Sequence, residues 1–237
     1  MENLPAYISF FFAGTTLLTL WLLYRAANRS KAIIILGISW LALQSILGLA
    51  QFYTNTNALP PRFVFLVLPP LIGIILLFST NKGQHFLASL QLKWLTLLHV
   101  VRIPVEVTLF SLALHQMVPT LMTFEGRNLD TISGLTAPLV YYFGLLKNRL
   151  SPKLLLIWNF ICLGLLLNIV VNAILSVPTP FQKFAFDQPN IALLYFPFVW
   201  LPSVIVPAVL LAHLTSIRKL IILSKKTTPV SFNQSLP

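Results

Sequence analysis

The sequence predicts an all-helical fold, a bundle of seven helices that cross a membrane. Of the 237 residues, 57% are hydrophobic and 9% are charged, and the mean hydropathy is +0.85. Soluble domains carry about a quarter charged residues, so this composition is typical of integral membrane proteins. Apolar stretches of about 18 residues or more recur along the chain, and each is long enough to cross a hydrocarbon core of about 30 Å as a helix.

Short polar links separate the apolar stretches and set the predicted bounds of the helices. The fourth and fifth stretches also carry polar residues and a proline. The predicted spans are residues 5–24, 32–53, 63–80, 94–118, 131–147, 153–176 and 191–217. Residues 1–226 then form a single transmembrane domain, and the tail 227–237 is predicted to be disordered in the cytoplasm.

The basic residues predict how the chain is oriented, because cytoplasmic links carry an excess of lysine and arginine. Twelve of the 16 Lys and Arg residues fall in links on one side of the predicted spans. Only Arg62, Arg127 and Lys183 fall on the other side, which places the N-terminus outside and the C-terminus in the cytoplasm. A nucleic-acid partner is not expected, since that function needs a basic face on a soluble fold. The predicted location is the cell membrane, as a multi-pass protein of a bacterial inner membrane.

The fourth predicted span carries charged residues at membrane depth. His99, Arg102 and Glu106 lie at helical spacing on one face, and the last two are four residues apart and can pair directly. A charge at the centre of a membrane helix costs about 2.5–3.5 kcal/mol on insertion scales, so it usually has a partner and a purpose. Two interpretations remain open. The pair locks the bundle, or it lines a polar cavity in which a ligand, an ion or a proton is handled.

A charged segment, MTFEGRNLD, follows this span at residues 122–130. Asp130 stands where its carboxylate would cap the next helix. Charge is so scarce elsewhere that the remaining polar residues of the segment need another explanation. We expect three of them to fold inward and form the outer lip of a cavity that has Glu106 at its floor: Glu125, Arg127 and Asn128. An ion pair within a solvated turn is the alternative.

Asparagines and histidines in other spans supply further candidates. Asn168 and Asn172 lie four residues apart on one face of the sixth span, where they either bond to a neighbouring helix or line the cavity. His99 and His213 lie at matched depths in different spans, as two axial haem ligands would. Interfacial or hydrogen-bonded histidines are the simpler explanation. No cofactor is therefore predicted, and a haem between these two residues is kept as the alternative.

Seven spans with the N-terminus outside resemble the topology of rhodopsins and G-protein-coupled receptors. Residues 191–217 contain no lysine, so the retinal attachment that a rhodopsin would imply is not expected. No His-Glu-x-x-His or Gly-x-Ser-x-Gly motif occurs either, so no catalytic residue is assigned. The sequence favours binding or transport of a small molecule or an ion, with proton coupling through Glu106 as one form of it. A membrane-embedded enzyme acting on a lipid or another lipophilic substrate, and a receptor-like sensor, are the alternatives. The predicted partners are the lipid bilayer and that small molecule or ion.

Overall fold

The computed structural model describes residues 4–226, and every regular element in that range is helical. The predicted disordered tail, 227–237, lies outside the described residues. Across the described range the α-helices are α1 (Ala6–Ala26), α2 (Lys31–Leu49), α3 (Val64–Ser79), α4 (Asn81–Ser89), α5 (Leu92–Leu98), α6 (Arg102–Leu114), α7 (Thr131–Leu139), α8 (Pro152–Leu175) and α9 (Val206–Lys226).

Short elements with other hydrogen-bond patterns extend or join these helices. A 3-10 turn, His99–Val101, joins α5 to α6 in one continuous span. A π-helical segment, Val140–Leu146, continues α7, and a second one, Leu201–Ile205, leads into α9. The second segment contains Pro202, and the removal of one backbone donor by proline favours such local changes of helical pitch.

Five helices are long and apolar enough to cross a membrane. These are Ala6–Ala26, Lys31–Leu49, Leu92–Leu114, Pro152–Leu175 and Leu201–Lys225. A sixth candidate is the pair α3 and α4 taken together, although the chain bends by 93° between them. The helix Thr131–Leu146 is apolar but shorter. The chain is thus compatible with a multi-pass membrane protein, as the composition predicts.

The last predicted span differs most from the structure. Residues 191–200 contain only the 3-10 turn Ala192–Leu194, and continuous helical structure begins at Leu201. Pro197 explains this difference, because a proline disfavours the helical conformation of the residue before it. At the other end the helix continues to Lys226, well beyond the predicted end at residue 217.

Residues 81–89 also differ from the prediction, which treats them as a polar link. They form α4, whose first turn is capped by Thr80: the hydroxyl accepts a hydrogen bond from the Gly83 backbone N–H at 3.2 Å. Two polar contacts hold α4 against α9. Arg218 donates to the Gln84 side chain at 3.0 Å, and the Lys219 ammonium donates to the Ala88 carbonyl at 2.8 Å.

The bundle is arranged around its last helix. About 61% of an 18-residue apolar stretch within Leu201–Lys225 is buried inside the protein, against 17% of such a stretch within Lys31–Leu49, so the former helix is central and α2 is peripheral. α9 packs mainly on α8 and α5, while α1 packs on α5 and α6. The largest apolar core lies among these five helices. The predicted fourth and last spans therefore meet at the centre of the bundle.

Candidate functional site

A cavity of about 100 Å³ lies between α3, α6, α8 and α9. Most of its wall is aliphatic, with contributions from Leu66, Val105, Leu109, Leu166, Ile169 and Val170 among others. The charged and amide residues of the wall are Arg102, Glu106, Asn128 and Asp130. These four residues belong to one hydrogen-bonded cluster. The cavity wall is therefore mostly apolar, with its charged and amide side chains gathered in a single patch.

Arg102, the first residue of α6, is bound to Asp130 and not to Glu106. The Nη1 atom of Arg102 donates to the Asp130 carboxylate in a buried ion pair and to the Cys162 carbonyl at 3.3 Å. The prediction that Arg102 and Glu106 pair directly is therefore wrong. The physical reason is that the 119–130 segment folds back onto α6 and offers a carboxylate that reaches the guanidinium. The Nε atom of Arg102 has no hydrogen-bond partner among the described residues.

Asp130 was also predicted to cap the following helix, and the structure corrects that expectation. Asp130 occupies the N-cap position of α7, but its side chain accepts no hydrogen bond from the first turn. Its carboxylate faces Arg102 instead. A charged partner in a buried setting binds the carboxylate more strongly than backbone amides do.

His213, on α9, fixes the other side of the arginine. Its Nε2 atom lies 2.7 Å from Nη2 of Arg102, and its Nδ1 atom lies 3.1 Å from Oδ1 of Asn159. Arginine can only donate, so Nε2 must accept and Nδ1 must carry the hydrogen. The Asn159 amide donates its own hydrogen to the Leu155 carbonyl at 2.9 Å, which leaves its oxygen free to accept from His213. The contacts thus define one neutral tautomer of His213.

Glu106 lies one turn further along α6 and is held by the 119–130 segment. Oε1 accepts from the Phe124 backbone N–H at 2.6 Å, and Oε2 accepts from the Asn128 side chain. Glu106 and Asn128 are both about 4% exposed. The Asn128 amide also donates to the Met122 carbonyl at 3.1 Å and accepts from the Asp130 backbone N–H at 3.0 Å. Asn128 therefore connects Glu106 with the Arg102–Asp130 pair.

The structure places the three predicted lip residues in two different environments. Asn128 turns inward as predicted. Glu125 and Arg127 are exposed, so the expectation that they fold inward is wrong. A Cβ atom at Gly126, between them, would overlap the Thr120 carbonyl and lie 2.5 Å from the Leu121 Cα, so only glycine fits this close approach of the chain to itself. Arg127 instead borders a shallow surface depression together with Lys183 and Asp187.

The two asparagines of α8 anchor this segment and do not line the cavity. Asn168 is exposed and donates to the Arg127 backbone carbonyl at 3.0 Å. Asn172 is buried and donates to the Asn168 side chain at 3.3 Å. Asn168 thus bonds to another element, whereas the bond of Asn172 stays within α8. A ligand-binding role for Asn168 and Asn172 has no geometric support.

His99 lies beside the cluster without joining its hydrogen bonds. Its ring stacks on that of His213 with centroids 3.9 Å apart and an angle of 18° between the planes. It is fully buried, and neither ring nitrogen has a partner among the described residues. Trp158 packs edge-on against it at 5.6 Å.

This geometry does not fit a haem between His99 and His213. Axial ligands approach the iron from opposite faces with their nitrogen atoms directed at it, whereas these rings lie face to face in direct contact. Both nitrogens of His213 are also engaged by other side chains. Within the described residues no group of three or more His, Cys, Asp and Glu side chains is arranged to hold a metal ion.

A glycine allows α7 to approach this cluster. A Cβ atom at Gly134 would lie 2.9 Å from the Ile103 side chain, 3.2 Å from the Ile103 backbone nitrogen and 3.3 Å from the Arg102 Cβ. Only a residue without a side chain permits that separation. The close contact of α7 with α6 brings the start of α7, and with it Asp130, within reach of Arg102.

Sequence reasoning assigned no functional role to Asp130, and gave His213 one only as a haem ligand. Asn159 was not selected. A signal for Asp130 was present, since a buried arginine in an acid-poor chain needs one of the few carboxylates available. Comparisons with protein-family models, with curated proteins and with solved structures find no match to this chain. The site is therefore interpreted from its geometry alone.

Proposed function

We propose that this chain is a seven-span protein of a bacterial inner membrane that binds, and moves, a small lipophilic molecule. The observation that carries this proposal is the cavity between α3, α6, α8 and α9, which combines aliphatic walls with one buried cluster of charged side chains. Ligand sites in proteins are mostly apolar clefts with a few placed polar groups. The N-terminus lies outside and the C-terminus in the cytoplasm, by the distribution of basic residues.

The proposal of seven spans adds two short helices to the five long ones. α3, with 16 residues, and the broken helix Thr131–Leu146 are each about 24 Å long at 1.5 Å per residue. That is about 6 Å less than the hydrocarbon core, a mismatch that local thinning of the bilayer accommodates at modest cost. With both included, the basic residues again fall mostly on one side.

The aliphatic wall favours a lipophilic ligand over a hydrated solute. A hydrated ion or sugar would lose its water on entry and find few replacement partners along these walls. The cavity volume of about 100 Å³ is of the same order as the cavity of about 150 Å³ that accepts benzene. The ligand, or the part of it that enters, is therefore a short aliphatic chain or a small ring.

Movement of the ligand is supported by the irregular helix on one wall. Leu201, Pro202 and Ile205 line the cavity and belong to the π-helical segment before α9. Such segments and proline breaks have hydrogen bonds that can rearrange, and in membrane proteins they are tolerated where they line a cavity. A change of pitch at this segment would change the width of the cavity.

The test compares ligand content between two variants of α8. Ile169 lines the cavity, whereas Ile161 on the same helix is exposed to the surroundings of the bundle. Ile169→Trp fills the cavity and Ile161→Trp is the matched control. Mass spectrometry of the purified protein should find a small lipophilic molecule in the wild type and the Ile161 variant and lose it in the Ile169 variant. Equal content in all three would contradict the proposal.

Two safeguards make this comparison decisive. Ala173→Leu, a milder filling of the same cavity, should reduce the ligand content in a protein with unchanged helical content. A membrane enzyme or a sensor would use the same cavity. The fate of the bound molecule distinguishes an enzyme from a transporter. An enzyme converts it into a product in detergent, whereas transport moves it unchanged into proteoliposomes.

A further inference from the structure

From the charge of the buried cluster we infer that the ligand is a cation, an ammonium group on a short aliphatic chain, and that it binds against the Glu106 carboxylate in exchange for a proton. This inference rests on the proposed ligand cavity and names the chemical class of its ligand.

The cluster holds one negative charge more than it neutralises. Arg102 and Asp130 form a direct ion pair and cancel each other. Glu106 makes no ion pair with any described residue and is about 4% exposed. A buried charge without a counter-charge is strongly unfavourable in a membrane interior, so the balance must be completed by a proton or a bound cation.

Other groups near the cluster cannot supply that positive charge. Arg102, on the same helix, is already paired with Asp130. His213, on α9, accepts a hydrogen bond from Arg102 and so remains neutral while that contact persists. The His99 ring stacks on His213, and neither of its nitrogens has a hydrogen-bond partner among the described residues. Cys162, on α8, accepts a hydrogen bond from Arg102 through its backbone carbonyl and carries no positive charge.

Glu106 retains the capacity to bind an ammonium group. An ionised carboxylate offers about four acceptor positions, and here the Phe124 N–H and the Asn128 amide occupy two of them. Both donors come from the 119–130 segment, whereas the Glu106 side chain also forms part of the cavity wall. The Thr131 hydroxyl, which also lines the cavity, interacts with Glu106 as well. An ammonium in the cavity would find a fixed acceptor, and its alkyl chain would lie along Leu109, Ile169 and Val170.

The exchange balances without any further reactant. The empty cavity holds Glu106 in its protonated form. A protonated amine enters, the carboxyl proton leaves to the aqueous phase, and the ammonium takes its place as the counter-charge. The site is electrically neutral before and after, so the low dielectric of the interior does not oppose the exchange. No covalent bond is formed.

The experiment measures binding of three matched molecules, hexylamine, hexanol and hexanoate, to the purified full-length protein. Titration calorimetry in two buffers of different ionisation enthalpy gives both the affinity and the number of protons released. We expect hexylamine to bind at least about tenfold tighter than hexanol, hexanoate to bind weakest, and about one proton to leave per amine bound. Once the pH is low enough for Glu106 to be fully protonated, each further unit of decrease in pH should weaken amine binding about tenfold.

Two variants assign the effect to one side chain. In Glu106→Gln the affinity for hexylamine should fall to that for hexanol, with no proton release, because the neutral amide keeps the shape but not the charge. Asp187→Asn removes an exposed acidic residue and should leave all three affinities unchanged. If Glu106→Gln does not fold, the order of the three affinities in the wild type still decides.

The outcomes distinguish this inference from the proposed function. Equal affinity for hexylamine and hexanol, or strongest binding of hexanoate, would overturn the cationic ligand and leave the cavity as the binding site. Amine binding without proton release would overturn the exchange. If none of the three molecules binds the wild type, the cavity is not a ligand site, and the proposed function fails together with this inference.

Discussion

Arg102 at the start of α6 forms a buried ion pair with Asp130, the residue that directly precedes α7. The two residues are 28 positions apart in the chain. Because Asp130 ends the 119–130 segment, the ion pair holds that segment against α6. The same segment supplies the Asn128 side chain and the Phe124 backbone N–H, which donate hydrogen bonds to Glu106. The 119–130 segment therefore binds both charged residues of α6.

Removing one partner of this pair should destabilise the protein strongly. Asp130→Asn leaves the Arg102 guanidinium buried without a counter-charge, and loss of one member of a buried ion pair costs about 3–5 kcal/mol. Unfolding of the detergent-solubilised protein with denaturant gives the free energy. Asp187→Asn is the control and should change the stability by less than about 0.5 kcal/mol. A similarly small change in the Asp130 variant would show that the pair is not formed.

Gly134 should tolerate no side chain. In Gly134→Ala the new methyl group would lie 2.9 Å from the Ile103 side chain, so α7 must move away from α6. Overpacking of this kind costs about 1–3 kcal/mol. Gly164→Ala in α8 is the matched control, since a Cβ there meets nothing within 4 Å. Thermal unfolding should show a lower transition for the first variant only, and equal transitions would argue against the close contact.

The hydrogen bonds of His213 make a prediction for NMR. At neutral pH its ring should be neutral with the hydrogen on Nδ1, because Nε2 accepts from Arg102 and Nδ1 donates to Asn159. Nitrogen-15 spectra of histidine-labelled protein distinguish the two tautomers and the cation. Assignment comes from the spectrum of His213→Gln. A signal for hydrogen on Nε2, or for the doubly protonated ring, would contradict this arrangement.

The apolar helices could be predicted from the sequence because each depends on the composition of its own segment. The long spans α1 and α8 begin and end within two residues of their predicted bounds, since hydrophobic length is a local property. Partner choice is not local. Arg102 and Glu106 stand four residues apart and invite a direct pair, yet Asp130 binds the arginine after a turn that spacing alone does not describe.

The candidate site shows the same limit. Glu106, Arg102 and Asn128 were selected from charge and position, and they do meet at the cavity. Glu125 and Arg127 were selected on the same grounds, but both are exposed. Composition identifies which residues are costly to bury, whereas side-chain direction within a loop depends on tertiary contacts that a single sequence does not reveal.

The proposed orientation predicts which residues are reachable from outside the cell. Asp187→Cys should react with a membrane-impermeant thiol reagent in intact cells, and Lys82→Cys should react only after the membrane is permeabilised. The native Cys162 is buried and should give little background. Labelling of Lys82→Cys in intact cells would overturn the proposed orientation. Labelling of both variants would show that the two links lie on the same side.

Photolabelling with a short aliphatic diazirine tests the central claim most directly, since it reports which side chains a lipophilic molecule touches. Excess hexanol should suppress labelling of Ile169 and Val170 in the cavity and leave labelling of Ile157 and Ile161, which face away from the bundle, unchanged. The Ile169→Trp variant should lose the suppressible fraction. Labelling confined to the outward-facing residues, or insensitive to hexanol throughout, would contradict a ligand-binding cavity in this bundle.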